Sequence, residues 1–344
     1  MSSDFRLFLD PVRRGESLSA EQSSEAFAAI MKGSVADGDL ADFLLAQAQR
    51  GPTVAEIAGA ARAMRANMVT IDAPPGAIDL CGTGGDGHGT LNISTAVSFV
   101  VAACGVPVAK HGNRNMSSRT GAADILETLG ANVTLSPEAA SACLREVGLC
   151  FLFAPHYHPA MKNVAPVRQR LGVRTIFNLL GPLCNPAGVR RQLLGVYTEE
   201  WLEPIARVLG ELGTKKAWVV HGSDGMDEMT TTGVTHTTIL ENGEIQRRTV
   251  DPEEAGAPRS TLDALKGDDA RYNAERLISM LEGKDRGAYR DIVVLNAAAA
   301  LVIADKAPDL RAGAVLARVA IENSGALAVL SRLVAFSREA HEHS

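Results

Sequence analysis

Cysteine is scarce in this chain. Five thiols (Cys81, Cys104, Cys143, Cys150, Cys184) among 344 residues form an odd set without Cys-x-x-Cys spacing. A disulfide framework and a thiolate zinc site are therefore not expected, and reduced, buried thiols are. Positive charge is not in excess either: 34 Lys and Arg face 40 Asp and Glu, a formal net charge of −6. Broad attraction to nucleic acid or to an acidic membrane surface is not expected. No apolar run reaches the roughly 20 residues that span a bilayer. The longest, 96–109 and 292–304, are broken by Gly, Pro or Asn. The opening MSSDFRLFLDPVRRGE is polar and mixed in charge, unlike a secretory signal. These absences lead to an expectation of a cytoplasmic protein without nucleic-acid or membrane partners. Internal repeats and low-complexity tracts are also missing. What remains, 46% hydrophobic and 22% charged residues, is ordinary globular composition with length for two domains or one large one.

Residues 1 to about 70 read as helices. Ser19 with Gln22, and Thr53 with Glu56, have capping-box spacing. Phe27, Ile30 and Met31 form one helical stripe, Leu40, Phe43, Leu44 and Gln47 a second, and Ile57, Ala61 and Met64 a third. So small a bundle needs to pack on something later in the chain or on a second copy. After Ala73-Pro74-Pro75-Gly76 the pattern changes to short apolar strands alternating with helices. Strands are expected at 77–80, 106–110, 131–135, 149–153, 192–197 and 217–221, with a hairpin running to about 250. Helices are expected at 93–104, 118–129, 137–147, 199–212, 291–304, 309–323 and 325–338, and 251–270 reads as loop. That is an α/β grammar with a mainly parallel, mixed central sheet behind a small all-helical domain.

The stretch from Asp79 to Gly130 holds two glycine- and hydroxyl-rich loops, each following a strand and opening a helix. Backbone N–H groups at a helix N-terminus favour an anion. Gly82, Gly84 and Gly87 satisfy G-x-G-x-x-G, yet the next strand ends in Lys110 and His111, where a dinucleotide site wants an acid. No Gly-Lys-Ser/Thr closes the loop as in a P-loop. Gly82, Gly85 and Asp86 instead let backbone amides approach a phosphate, with Thr90, Asn92, Ile93, Ser94 and Thr95 leading into the helix. Lys110, His111, Gly112, Asn113, Arg114, Asn115, Met116, Ser117 and Ser118 form the second cradle, followed by Arg119 and Ala122. A ligand with phosphates at both ends suits the pair; an ordinary capped turn and a solvated basic turn are the plainer readings. Asp227 and Glu228 place adjacent carboxylates on a loop, which suits Mg²⁺ better than His156 or His158 do.

Four blocks carry a resemblance: CGTGGDGHGTLNIST, KHGNRNMSSRTGAADILETLG, PVRQRLGVRTIFNLLGPLCNPA and HGSDGMDEMT. With DFLLAQAQRGPTVAEIAG and LNAAAALVIA they make the chain similar, over nearly its whole length, to the anthranilate phosphoribosyltransferase family. The resemblance implies transfer of a 5-phosphoribosyl group from phosphoribosyl pyrophosphate to the amine of anthranilate. It implies the nucleoside phosphorylase/phosphoribosyltransferase type of fold. Residues 1–75 with an inserted segment at about 166–185 would be helical; 76–165 and 186–344 would form the α/β domain. It implies a homodimer joined through the helical domain, with the active site at the hinge between domains. It further implies two Mg²⁺ ions, one at Ser94 and Glu228 and one at Asp227 and Glu228. Anthranilate would meet Gly82, Asn113 and Arg168.

No covalent nucleophile is implied. The aniline nitrogen is already neutral at pH 7, so His111 is not needed as a general base. Two departures stand out: Ala122 where the family usually carries Ser, and Leu91 where an aromatic residue is common. A pyrimidine nucleoside phosphorylase-like enzyme and a nucleic-acid-binding relative of the same fold remain as alternatives.

Overall fold

The computed structural model describes residues 5–114 and 120–342. The chain opens with four helices, α1 (Arg6–Arg13), α2 (Ala20–Met31), α3 (Asp37–Arg50) and α4 (Val54–Ala66). Both expected capping boxes form, each Ser19 or Thr53 side chain accepting from the third helical N–H while Gln22 or Glu56 reaches back. The three expected stripes are buried. They do not close a core by themselves. Five of the chain's nine Phe rings gather here, Phe5, Phe8, Phe27 and Phe43 from the bundle and Phe177 from far along the sequence. Phe177 lies 5.5 Å from Phe27 between centroids.

Phe177 arrives on a helical segment that interrupts the α/β pattern. Strand β3 (Leu149–Phe153) leads into α8 (Ala154–Tyr157), then α9 (Ala165–Leu171) and α10 (Phe177–Leu180). Val164, Val167, Ile176, Leu179 and Leu183 join the bundle's buried cluster. Asn163 Nδ2 donates to Met31 O at 2.8 Å and Arg65 Nε to Leu183 O at 2.7 Å. The same cluster continues into α11 (Leu202–Glu211) and one face of the sheet, so the bundle packs on the later chain.

The remaining strands are β1 (Ile78–Gly82), β2 (Val108–Gly112), β4 (Arg191–Gly195), β5 (Lys216–Gly222), β6 (Thr235–Glu241) and β7 (Glu244–Val250). They form one seven-stranded sheet in the order β3-β2-β1-β4-β5-β6-β7. Every pairing from β3 to β5 is parallel, and the β5–β6–β7 edge is antiparallel. Successive residues alternate between cores: Leu194, Ala217 and Val219 face the bundle, while Leu193, Trp218 and Val220 face the opposite core. On that opposite side pack α5 (Ile93–Ala103), α13 (Ala288–Ile303), α14 (Leu310–Glu322) and α15 (Gly325–Glu342), with α6 (Ala122–Thr128), α7 (Pro137–Glu146) and α12 (Ala270–Leu281) around them.

Three departures from expectation stand out. Residues 131–135 alternate in burial as a strand would, but make no ladder. Asn132 folds its side chain onto Thr134 N–H, and Asn132 N–H bonds Ser337 Oγ, so the backbone is satisfied locally. Helix α12 was not expected at all. Asp269 caps it by accepting from Tyr272 N–H at 2.8 Å, and Ala274, Leu277 and Leu281 form its buried stripe. The helix expected from residue 118 begins at Ala122 behind Gly121.

The strand order reverses between β1 and β4: β1 leads to β2 on one side, β4 to β5 on the other. In open α/β sheets the crevice beyond the carboxyl ends at such a point is where ligands lodge. Because Phe177 ties the inserted segment to the bundle, Phe177→Ala should lower unfolding free energy by about 3 kcal/mol or more. Urea denaturation of the full chain measures it.

Candidate active site

The carboxyl ends of β1 and β4 are closed by two glycines in register, Gly82 beside Gly195. Both face Asp227. A Cβ on Gly82 would overlap the Asp227 carboxylate, and one on Gly195 would overlap the Asp227 backbone. The missing side chains are what allow the acidic loop to cross the switch point. Asp227 Oδ2 accepts from Gly84 N–H at 2.7 Å, fastening acid to glycine loop. From below, Asn296 of α13 holds the same loop, its Oδ1 accepting from Met229 N–H at 3.0 Å and its Nδ2 donating to Met229 O at 2.8 Å. Motif reading passed over Gly195 and Asn296; Asn296 stands inside LNAAAALVIA as the one polar residue of a buried run.

The loop after β1 has few internal uses for its amides. Thr83 N–H bonds Gly195 O, Gly84 N–H bonds Asp227, His88 N–H bonds Asp86 Oδ1 and Leu91 N–H bonds Leu265 O. Among the described residues the N–H groups of Gly85, Asp86, Gly87 and Gly89 have no partner. Gly84, Gly85, Gly87 and Gly89 all have positive φ, between 62 and 79°, which L side chains rarely adopt. These unspent donors form a concave, anion-ready surface.

Beneath them three carboxylates crowd together. Asp227 is pushed up to about 7, first by desolvation in the cleft and then by the Asp86 charge. Glu228 is pushed up to about 8, again by desolvation first, then by Asp227. Lys110 opposes this from a position only 3% exposed, its Nζ donating to Leu80 O at 2.7 Å and to Ser94 Oγ at 3.1 Å. The Ser94 backbone also lies against Glu228. Among the described residues no three His, Cys, Asp or Glu side chains form a closed metal cage. An open set of hard oxygens that burial and mutual repulsion keep from fully ionising fits Mg²⁺, which would relieve that repulsion and keeps waters and substrate oxygens in its shell.

The other expected site residues fall into three groups. Thr95 and Ile93 are buried and face the core, and Thr90 forms a bridge with Lys266. Asn92 is committed internally, Nδ2 to Thr120 O at 3.3 Å and Oδ1 from Asn273 Nδ2 at 3.0 Å, which ties both loops to α12. Gly112 lets the Phe151 ring approach and lies near Ala122. Arg114 is folded away onto Glu127 and Asp124 of α6 and stacks on Phe153, beside Asn113, whose Oδ1 accepts from Arg114 N–H. Asn115, Met116, Ser117 and Ser118, with Arg119, lie outside the described residues.

On the helical segment, Arg168 stacks 5.3 Å from the Phe177 ring, and burial lowers its affinity for the proton. Its guanidinium has no hydrogen bond or ion pair among the described residues, although neighbouring Arg170 pairs with Asp37 at 2.7 Å. A half-buried cation without a counterion suits an incoming carboxylate. The His111 and His158 rings lie 5.1 Å apart between centroids, tilted at 55°, each with an unpartnered buried Nε2. Burial lowers His111 to about 3 and His158 to about 4, so both are neutral at physiological pH. They form an uncharged wall.

Raised carboxyl pKa values mean that the folded chain keeps protons the unfolded chain has released between about pH 4 and 8. Metal-free stability should therefore fall as pH rises through that window. Asp227→Asn removes one of the repelling charges while keeping an acceptor for Gly84. It should raise the melting temperature of metal-free protein by about 2–4 °C at about pH 8, and erase most of the rise that Mg²⁺ gives the unaltered chain. Paired melting curves with and without Mg²⁺ measure both.

Residues 74–327 match the glycosyl transferase family a/b domain, and residues 7–68 match the helical bundle domain of the same family. The anthranilate phosphoribosyltransferase of Beijerinckia indica is 55% identical over 335 residues, covering 97% of this chain and 98% of that protein. That of Bradyrhizobium diazoefficiens is 52% identical over 334 residues, covering 97% and 99%. The crystal structure of the Thermus thermophilus enzyme superposes with a TM-score of 0.91 at 44% identity, covering 96% and 99% of the two chains. The Saccharomyces cerevisiae enzyme in complex with phosphoribosyl pyrophosphate and Mg gives 0.90 at 25% identity, covering 98% and 99%. Fold, sequence and the acid-and-glycine switch point agree, and the chain belongs to the anthranilate phosphoribosyltransferase family.

Proposed function

We propose that this protein transfers the 5-phosphoribosyl group of phosphoribosyl pyrophosphate to the amine of anthranilate. The products are N-(5-phosphoribosyl)anthranilate and pyrophosphate, a step of tryptophan biosynthesis. The observation that carries the reading is the row of unspent amides at Gly85, Asp86, Gly87 and Gly89 above three crowded carboxylates. Amides bind the pyrophosphate, and the acids need a cation that such a substrate brings with it.

Two Mg²⁺ ions would be held, one by Ser94 and Glu228 and one by Asp227 and Glu228, neutralising charge on the leaving pyrophosphate. The chain's own groups do the remaining work. Gly82, Gly85 and Asp86 line the pyrophosphate, and Thr90 to Thr95 present the start of α5. Lys110 holds Ser94 in place, while His111, Gly112, Asn113, Arg114 and Ala122 border the ribose phosphate. Ala122 gives up a hydroxyl that the family usually offers there. Arg168 takes the anthranilate carboxylate and Asn113 the other side of the aromatic acid, beside Gly82, fixing the amine at attacking distance. A base with the low proton affinity of His111 adds little to a reaction whose amine is already neutral. The neutral imidazole wall keeps the cleft uncharged where the aromatic ring lies.

The helical segment 166–185 and the bundle act as one body against the α/β domain, and closure between them excludes water. The bundle also joins two copies of the chain in the cytoplasm; Leu7 of α1, 66% exposed, supplies apolar surface for that contact. Among the described residues no single helix is long and apolar enough to cross a membrane.

Anthranilate fluorescence followed with phosphoribosyl pyrophosphate and Mg²⁺ should decline only when all components are present; persistent fluorescence over folded protein would overturn the reading. Arg168→Ala should raise the anthranilate KM roughly 10- to 100-fold, as expected for a lost charged hydrogen-bond pair. The KM for phosphoribosyl pyrophosphate should change less than about threefold in the same initial-rate series, since a point contact to the other substrate is untouched.

A further inference from the structure

The three arginines around α9 have three different fates. Arg170 makes a surface ion pair with Asp37, and Arg168 has no counterion among the described residues. Arg174 leaves its own segment: Nη2 donates to Gly85 O at 2.5 Å, and its guanidinium carbon lies 4.2 Å from the centroid of the Tyr197 ring. Tyr197 follows β4 and is itself fixed to the glycine loop, its N–H bonding Thr83 Oγ1 at 3.1 Å. The sequence pattern alone allows Arg174 to be no more than part of a surface helix face.

The geometry points to Arg174 as a positioning residue that sets the pyrophosphate-binding peptide and ties it to the segment carrying Arg168; this rests on the transferase reading above. Gly85 O and Asp86 N–H belong to one peptide unit. That unit is planar and trans, so its carbonyl and N–H point in opposite directions. Holding the carbonyl with a guanidinium turns the Asp86 N–H, one of the unspent donors, away from Arg174. Gly85 has φ of 79° and Gly84 69°, a backbone with little side-chain packing to hold the plane by itself. Stacking on Tyr197 keeps the guanidinium flat and aimed, which an ammonium would not do.

A second consequence follows from placement. Gly172, with φ of 62°, ends α9 and turns the chain so that Arg168 and Arg174 belong to one short segment. The group expected to hold the acceptor and the group that orients the donor loop therefore move together. Filling the donor loop shifts or stiffens Gly85, and Arg174 passes that to the segment bearing Arg168. Arg174 is exposed and its acceptor is a neutral carbonyl, so its contribution to folding is small.

The test uses the full chain with Mg²⁺ and pyrophosphate, a non-reacting occupant of the donor loop, in titration calorimetry. Arg174→Ala should weaken Mg²⁺-pyrophosphate binding about fivefold or more. Arg174→Lys should recover part of it, Tyr197→Phe nearly all of it, and Tyr197→Ala little. Melting temperatures should stay within about 2 °C of the unaltered chain. Anthranilate fluorescence adds the coupling readout: pyrophosphate should tighten anthranilate binding to the unaltered chain and not to Arg174→Ala. Pyrophosphate affinity unchanged in Arg174→Ala would overturn the proposal. So would a loss that tracks a fall in melting temperature and is not recovered by Lys. The pyrophosphate measurement is independent of turnover, so a chain that binds it through Arg174 yet leaves anthranilate unreacted would sink the substrate assignment alone.

Discussion

The close approach of Asp227 to a pair of side-chain-free positions, Gly82 and Gly195, is the constraint from which the rest of the site follows. Parallel strands that diverge in connectivity leave a gap at their carboxyl ends. Here that gap is filled by the backbone of an acidic loop from the far end of β5. Any side chain at either glycine would push the loop off the sheet and take both carboxylates with it. Asn296 supplies the opposing restraint from the opposite core, bonding both faces of the Met229 peptide backbone. The acids are thus held between a helix and a sheet edge, with no freedom to separate and relax their repulsion.

That confinement is costly for the folded chain in the absence of a cation, and it explains the internal placement of Lys110. A lysine at a phosphate site is usually pictured reaching outward. This one is buried and spends its donors on Leu80 O and Ser94 Oγ, offsetting negative charge from below. Arg114, exposed at the rim, is neutralised by α6 acids. The positive partner of the pyrophosphate is therefore expected to come with the substrate, while the protein provides neutral N–H groups and acids suited to a metal.

Much of the architecture was legible because local signals and tertiary needs agreed. Capping boxes at Ser19 and Thr53, glycine-terminated helices and most alternating apolar runs marked elements that formed. The 131–135 stretch misled because Ala131, Val133 and Leu135 alternate as in a strand. Their backbone is instead satisfied by Asn132 and Ser337, the latter more than 200 residues away. Helix α12 was hidden in a polar neighbourhood where only Asp269 gave a start signal. In the site, motifs pointed to the glycine loop, the second cradle and the Asp227-Glu228 pair. They could not show the residues holding those in place, Gly195, Asn273, Asn296 and Arg174, because each acts through a partner distant in sequence.

The left-handed run at Gly84, Gly85, Gly87 and Gly89 has a bearing on how such an enzyme can change. On the proposed reading, donor recognition rests chiefly on main-chain atoms, whose path depends on glycines and on the one guanidinium that holds Gly85 O. Acceptor recognition, on the same reading, rests on the side chains of Arg168 and Asn113. Divergence toward a different amine is therefore open along one edge of the cleft, while the phosphorylated sugar is inherited with the backbone path itself.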